Sequence, residues 1–161
     1  MNIEKMNKFV KKYYKLIIVI ISYIIAFYIF VYLDIFFRAR SAYFEAEKYL
    51  DWYYNPSKKI EYIQKQTEKE RQNLDKLLSK GKISKEEYQI KLELIEFNKQ
   101  RQLEESSLKY AYIWYKTVID LFYPPQTKWV KLAKQKIEQV KQLWKKELEQ
   151  KGYKIEDYMI E

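Results

Sequence analysis

LIIVIISYIIAFYIFVYL, residues 16–33, decides how the rest of the chain is read: it holds eighteen residues without a charge, and after Asp34 the apolar run resumes as Ile35, Phe36 and Phe37. At about 1.5 Å per residue, the stretch 16–37 makes a helix of about 33 Å, enough for the ~30 Å hydrocarbon core of a bilayer. Ser22 interrupts the run only mildly, because its hydroxyl can bond the carbonyl one turn earlier. Nothing else in the chain is apolar enough to surround an all-round hydrophobic helix of this length, so a transmembrane helix is expected. A signal peptide would carry a shorter apolar core and a small-residue cleavage site. Here Asp34, Ile35, Phe36, Phe37, Arg38, Ala39 and Arg40 follow, and the segment reads as an uncleaved anchor.

Lys5, Lys8, Lys11, Lys12 and Lys15 precede the run, whereas Arg38, Arg40 and Lys48 follow it at comparable distance. This excess places the N-terminus in the cytoplasm and the segment from Arg38 onward outside it. Asp34 sits near the end of the run, where it can reach headgroup water or pair with Arg38 one turn on.

Composition removes most familiar chemistry. The 161 residues include no Cys and no His, 2 Gly and 3 Pro. Thiolate and imidazole catalysis, zinc sites built on Cys or His, and glycine-rich phosphate loops are therefore unavailable. So little Gly and Pro also argues against an all-β fold, and an all-α chain is expected. Glu93 with Glu96, and Glu104 beside Glu105, are carboxylate pairs. Di-metal bundles add His to such pairs, so these read as surface acids. No catalytic residue, cofactor, metal or small-molecule substrate is assigned. The balance of 31 Lys plus Arg against 22 Asp plus Glu is basic, but Arg, the usual reader of base edges, occurs only at positions 38, 40, 71 and 101. Nucleic acid is not an expected partner.

Beyond the membrane run, Asn55-Pro56, Gly81 and Pro124-Pro125 punctuate helical patterns. The expected organisation is a Lys-rich tail over 1–15, a transmembrane helix over 16–37, a helical hairpin over 38–123 with its tip near Gly81, an amphipathic basic helix within 124–152, and a tail over 153–161. Asn55 offers a cap and Pro56 a first helical position, either as a bend or as a break. Gly81 is expected to end its helix in a left-handed conformation, and Ser84 with Glu87 has the spacing of a capping box. The returning helix is expected to run unbroken from Lys85 to about Phe122. Acid-then-base pairs at four-residue spacing, Glu61 with Lys65, Glu87 with Lys91 and Glu105 with Lys109, describe solvated helix faces.

Folding about Gly81 brings two aromatic stretches together. Tyr43, Tyr49, Trp52 and Tyr53 lie on one arm, and Tyr112, Trp114, Tyr115 and Phe122 on the other. This is more aromatic surface than two helices alone can bury, so these eight residues are candidate contacts for partner subunits or for a second copy. The last helix carries Val130, Ala133, Ile137, Val140 and Trp144 as a heptad-like stripe, with lysines on its other faces. Lys128, Trp129, Lys131, Lys134, Lys141, Trp144 and Lys145 are candidate contacts for anionic lipid or an acidic partner. The same pattern also describes an ordinary third helix with its stripe inward and its lysines in water.

Residues 77–94, with Leu77, Leu78, Gly81, Ile83, Ser84, Glu86, Glu87, Tyr88 and Leu94, resemble the short helical hairpin called SHOCT. The resemblance implies a role in oligomerisation or regulation. The sequence thus points to a non-enzymatic, single-pass membrane protein that serves as an accessory or assembly subunit. A membrane-surface regulator or tether acting through residues 126–151 is the alternative.

Overall fold

A computed structural model describes the backbone of residues 3–155 and the side chains of residues 13–155. Among the described residues all regular structure is helical, in five elements: α1 (Ile3–Tyr54), α2 (Pro56–Ser79), α3 (Lys85–Glu104), α4 (Ser107–Leu121) and α5 (Lys128–Gln150). The segment expected as a Lys-rich tail is helical from Ile3 and runs without interruption into the apolar stretch. Of the expected C-terminal tail, residues 156–161 lie outside the described residues.

α1 is one helix of 52 residues with an apolar stretch followed by a part that packs on the other helices. Its apolar run is long enough to cross a membrane, and none of that window is buried against the rest of the chain. Beyond the run, the small residues Ala39, Ala42 and Ala46 turn inward and let α4 approach closely. Tyr43 on α1, Leu108, Ala111, Tyr112, Tyr115 and Val118 on α4, and Val130, Ala133 and Val140 on α5 complete the core. Spacings of three and four put each set on one helix face, and alternating aromatic and alanine positions let the faces interlock.

The hairpin expected over 38–123 exists in outline, because α1 packs on α4 and α2 packs on α3. Its arms are not continuous. One breaks at Asn55-Pro56, where Pro56 takes the first helical position while the Asn55 side chain donates to Asp51 at 2.8 Å rather than capping α2. The break is a bend: the ring centroids of Trp52 and Tyr62 are 5.1 Å apart, and Lys48 Nζ lies 5.6 Å from the Tyr62 ring. In an unbroken helix, residues 48 and 62 would be separated by about 21 Å along the axis.

The other arm, expected to be unbroken from Lys85 to Phe122, stops at Glu105 and restarts at Ser107. Neither Gly nor Pro marks this point. Ser106 ends the helix by capping the next: its hydroxyl accepts from Lys109 N–H and donates to Glu147 of α5 at 2.5 Å. The break moves Lys109 onto a different helix from Glu105, and Glu105 pairs with Arg101 at 3.2 Å instead.

At the tip, Gly81 has φ +63°, Lys82 N–H bonds Leu77 O at 3.0 Å, and Gly81 N–H bonds Leu78 O at 2.9 Å. These are the two closing bonds of a Schellman end, which needs a left-handed residue. Ser84 Oγ accepts from Glu87 N–H at 3.1 Å, forming one half of the expected capping box, and the Glu87 carboxylate lies on Lys91 at 2.8 Å. α5 lays its Val130, Ala133 and Val140 face on α4 and α1, so the third helix covers the aromatic arms.

One polar node crosses this core. The Glu47 carboxylate of α1 accepts from Tyr115 OH of α4 at 2.5 Å and from Lys136 Nζ of α5 at 2.6 and 2.7 Å. Burial pushes the Glu47 carboxyl up, but hydrogen bonds from Lys136, Tyr115 and Tyr43 outweigh it and hold the group below its ordinary value of 4.5. Burial, reinforced by Glu47, raises Tyr43 and Tyr115 above their ordinary 10.0. The stability Glu47 contributes is therefore present above pH 4.5 and lost as pH falls through its folded value. The tyrosines act in the opposite range, with stability present below pH 10 and lost above it. Glu47→Ala leaves the buried Tyr115 hydroxyl unpartnered and is expected to cost about 2 kcal/mol. Thermal unfolding in mild detergent checks this, with Glu47→Gln expected to show a weaker acid-side loss than the parent chain.

Candidate interaction surfaces

The aromatic residues singled out from the sequence are brought together, largely on one another. Tyr43 meets Tyr115 with centroids 5.7 Å apart, Tyr49 stacks on Tyr110 at 5.2 Å, and Tyr112 meets Trp144 at 5.6 Å. Tyr43, Trp52, Tyr112 and Tyr115 are buried in the chain's own fold, whereas Tyr49, Trp114 and Phe122 are half-buried and Tyr53 is exposed. Much of the aromatic surface expected to be in surplus on two helical arms is taken up internally, because α5 and the bend at Pro56 supply covering layers. Each such ring pair is worth about 1 kcal/mol beyond its buried area.

The bend and the break lie opposite each other and leave a concavity of about 320 Å³ lined by Lys48, Tyr49, Trp52, Lys59, Arg101 and Tyr110, among others. Its cations already have partners. Lys48 lies 4.9 Å from the Tyr49 ring and 5.2 Å from Trp52, and it pairs with Glu45. Lys59 Nζ donates to Leu103 O at 3.0 Å and Glu105 O at 2.6 Å, satisfying carbonyls that the end of α3 leaves open. Burial pushes the Lys59 ammonium below its ordinary 10.5. The concavity is a structural joint in which a cation from one arm holds the broken end of the other.

α3 carries the surface that sequence reasoning missed. At 100° per residue, Tyr88, Leu92 and Ile95 lie on one side and Ile90, Leu94 and Phe97 about 180° away. The first side faces α2, with Tyr88 OH donating to Asp75 at 2.8 Å and Glu96 paired to Arg71 at 3.2 Å. The second is open: Ile90 is 67% exposed, Leu94 55% and Phe97 65%. Glu87 and Arg101 continue this row at heptad spacing. A helix with opposed apolar stripes has no net amphipathic direction, so a single-face pattern search passes over it. Two separate heptad readings would have found it.

On α5, Lys128, Lys131 and Lys134 are exposed, and Lys141, Trp144 and Lys145 are half-buried. The apolar stripe faces the bundle. Trp129 packs on Phe36 at 6.1 Å and Phe44 at 5.4 Å, so the first turn of α5 stands beside the end of the apolar run. Among the described residues, no three His, Cys, Asp or Glu side chains gather as a metal-binding group.

No protein-family model, curated protein or solved structure matches this chain.

Lys59→Met keeps the apolar stem and removes the charged donor. About 2 kcal/mol of stability is expected to be lost, with faster amide exchange concentrated around residues 103–107. Exchange measured by mass spectrometry on the full chain in detergent checks this.

Proposed function

We propose that this chain is a non-enzymatic single-pass membrane protein, an accessory or assembly subunit of a larger membrane complex that engages partner subunits through its helical extramembrane part. The observation that carries this reading is the open Ile90, Leu94 and Phe97 row on α3. The helix already half-buries one apolar stripe against α2, and a second stripe left open is costly in water. A partner helix laid along it would take up the row, while Glu87 and Arg101 at its ends keep their pairs with Lys91 and Glu105.

The anchor is α1. Its run from Leu16 to Leu33 has no buried residue, which is how a helix surrounded by lipid is built rather than a soluble core helix. The helix continues unbroken into core positions Ala39, Ala42 and Ala46, consistent with an anchor retained in the mature chain. Five lysines before the run against three basic residues after it favour a cytoplasmic N-terminus and an extracytoplasmic helical domain. Membrane lipid and protein subunits are the partners in this reading; it includes no cofactor, nucleic acid or small-molecule substrate.

A second reading, a surface regulator or tether, draws on Lys128, Lys131 and Lys134 at the membrane-proximal start of α5. In that case lysines would meet anionic headgroups while the stripe stays in the bundle.

Isolation in mild detergent through a C-terminal tag, with mass spectrometry of what co-purifies, tests the assignment. A stoichiometric set of membrane subunits is expected with the parent chain. Ile90→Ser, Leu94→Ser and Phe97→Ser together are expected to remove that set while leaving thermal unfolding of the bundle unchanged. Each buried apolar side chain at such an interface is worth about 2 kcal/mol, so the triple change exceeds what most assemblies tolerate. Recovery of a strictly monomeric chain without partners would refute the subunit reading, and recovery with lipid alone would move the assignment to the tether.

A further inference from the structure

We infer that the last residue of α4 and the α4–α5 connection, together residues 121–127, are a second membrane contact: a foot that inserts beside α1 at the boundary between headgroups and acyl chains. The inference rests on α1 crossing the bilayer and adds to it a part of the chain distant in sequence. Pro124 and Pro125 close a small cavity whose other walls are Tyr28, Val31, Tyr32 and Ile35. Those four residues belong to the apolar run itself. Tyr28 lies nine residues before Phe37, about 13 Å further along the axis, so the connection sits alongside the membrane segment rather than above it.

The chemistry of the connection fits that depth. From Leu121 to Thr127 there is no charge, although Asp120 and Lys128 flank it directly. Leu121 is 72% exposed and Tyr123 53% exposed, so the chain itself leaves their apolar surface open. Non-helical backbone is expensive near hydrocarbon because its donors lack water. Two of the seven residues are prolines with no N–H, and Thr127 N–H is bonded to Pro125 O at 2.9 Å. A cation meets the foot: Lys134 Nζ lies 4.7 Å from the Tyr123 ring centroid, and exposed Lys128 and Lys131 precede it along α5. A tyrosine beneath a lysine, at the end of an apolar surface, is the arrangement that lipid interfaces favour.

The absence of native cysteine makes the test direct. Nitroxide labels on Leu121→Cys or Tyr123→Cys, in the full chain reconstituted in phosphatidylcholine and phosphatidylglycerol bilayers, report collisions with oxygen and with a water-soluble nickel chelate. Phe27→Cys serves as the lipid reference and Lys82→Cys, exposed at the hairpin tip, as the water reference. At both foot positions the oxygen-to-nickel collision ratio is expected to approach that at position 27 and to stand several-fold above that at position 82. Nickel accessibility at 121 and 123 equal to that at 82, with position 27 still protected, overturns the foot and leaves the anchor intact. Protection from both reagents also overturns it, in favour of a protein contact. Nickel access at position 27 itself removes the membrane anchor and the foot together.

Discussion

Glu47 is the point on which the bundle's arrangement depends. A single carboxylate on α1 receives Tyr115 from α4 and Lys136 from α5, so three helices that could otherwise slide along apolar seams are held at one register. Hydrophobic contact is non-directional, and small side chains such as Ala39, Ala46, Ala111 and Ala133 permit several neighbouring registers at similar cost. A buried tyrosine hydroxyl and a half-buried ammonium do not, because a slip of one turn leaves both without their acceptor. Since α1 also carries the apolar run, the same node fixes the bundle relative to that run. It thereby sets the level at which the α4–α5 connection and the first turn of α5 meet it.

The two interruptions of the hairpin give the chain its division of labour. Pro56 bends one arm, and the Ser106 cap breaks the other at the opposite position. Above the breaks, α2 and α3 form a thin arm with modest internal burial. Below them, α1, α4 and α5 form the packed core. Lys59 couples the two parts by donating to the last carbonyls of α3. The aromatic richness of the chain serves the lower part, where rings fill the space between helices and surround Lys48. Exposed apolar surface is left on the upper part, on the outer side of α3.

Much of this architecture was legible in the sequence, and the limits have physical causes. The uncharged run 16–33 and the turn at Gly81 each rest on one strong local signal, and both appear where expected. So does the inward stripe of α5. The break at Glu105 was not legible because Ser106 and Ser107 are tolerated inside helices. What makes Ser106 a cap is Glu147, which is distant in sequence and reaches its hydroxyl only in the folded chain. For the aromatic residues from Tyr43 to Phe122 the sequence points to partner contacts, because two arms cannot cover them; the covering element is the same α5 whose lysines suggest lipid. Glu47 gave no signal at all, being one acid among many until Tyr115 and Lys136 converge on it. The outer row of α3 was hidden by the inner one.

On the proposed reading the aromatic bundle closes on itself and the outer face of α3 is what a partner covers. Amide hydrogen exchange on the full chain, alone in detergent and within the complex isolated from native membranes, separates the two surfaces. Slow exchange is expected over 43–52 and 110–118 in both states, with new protection in the complex confined chiefly to residues 88–99. New protection falling on 43–54 and 110–122 instead, with α3 unchanged, would contradict it.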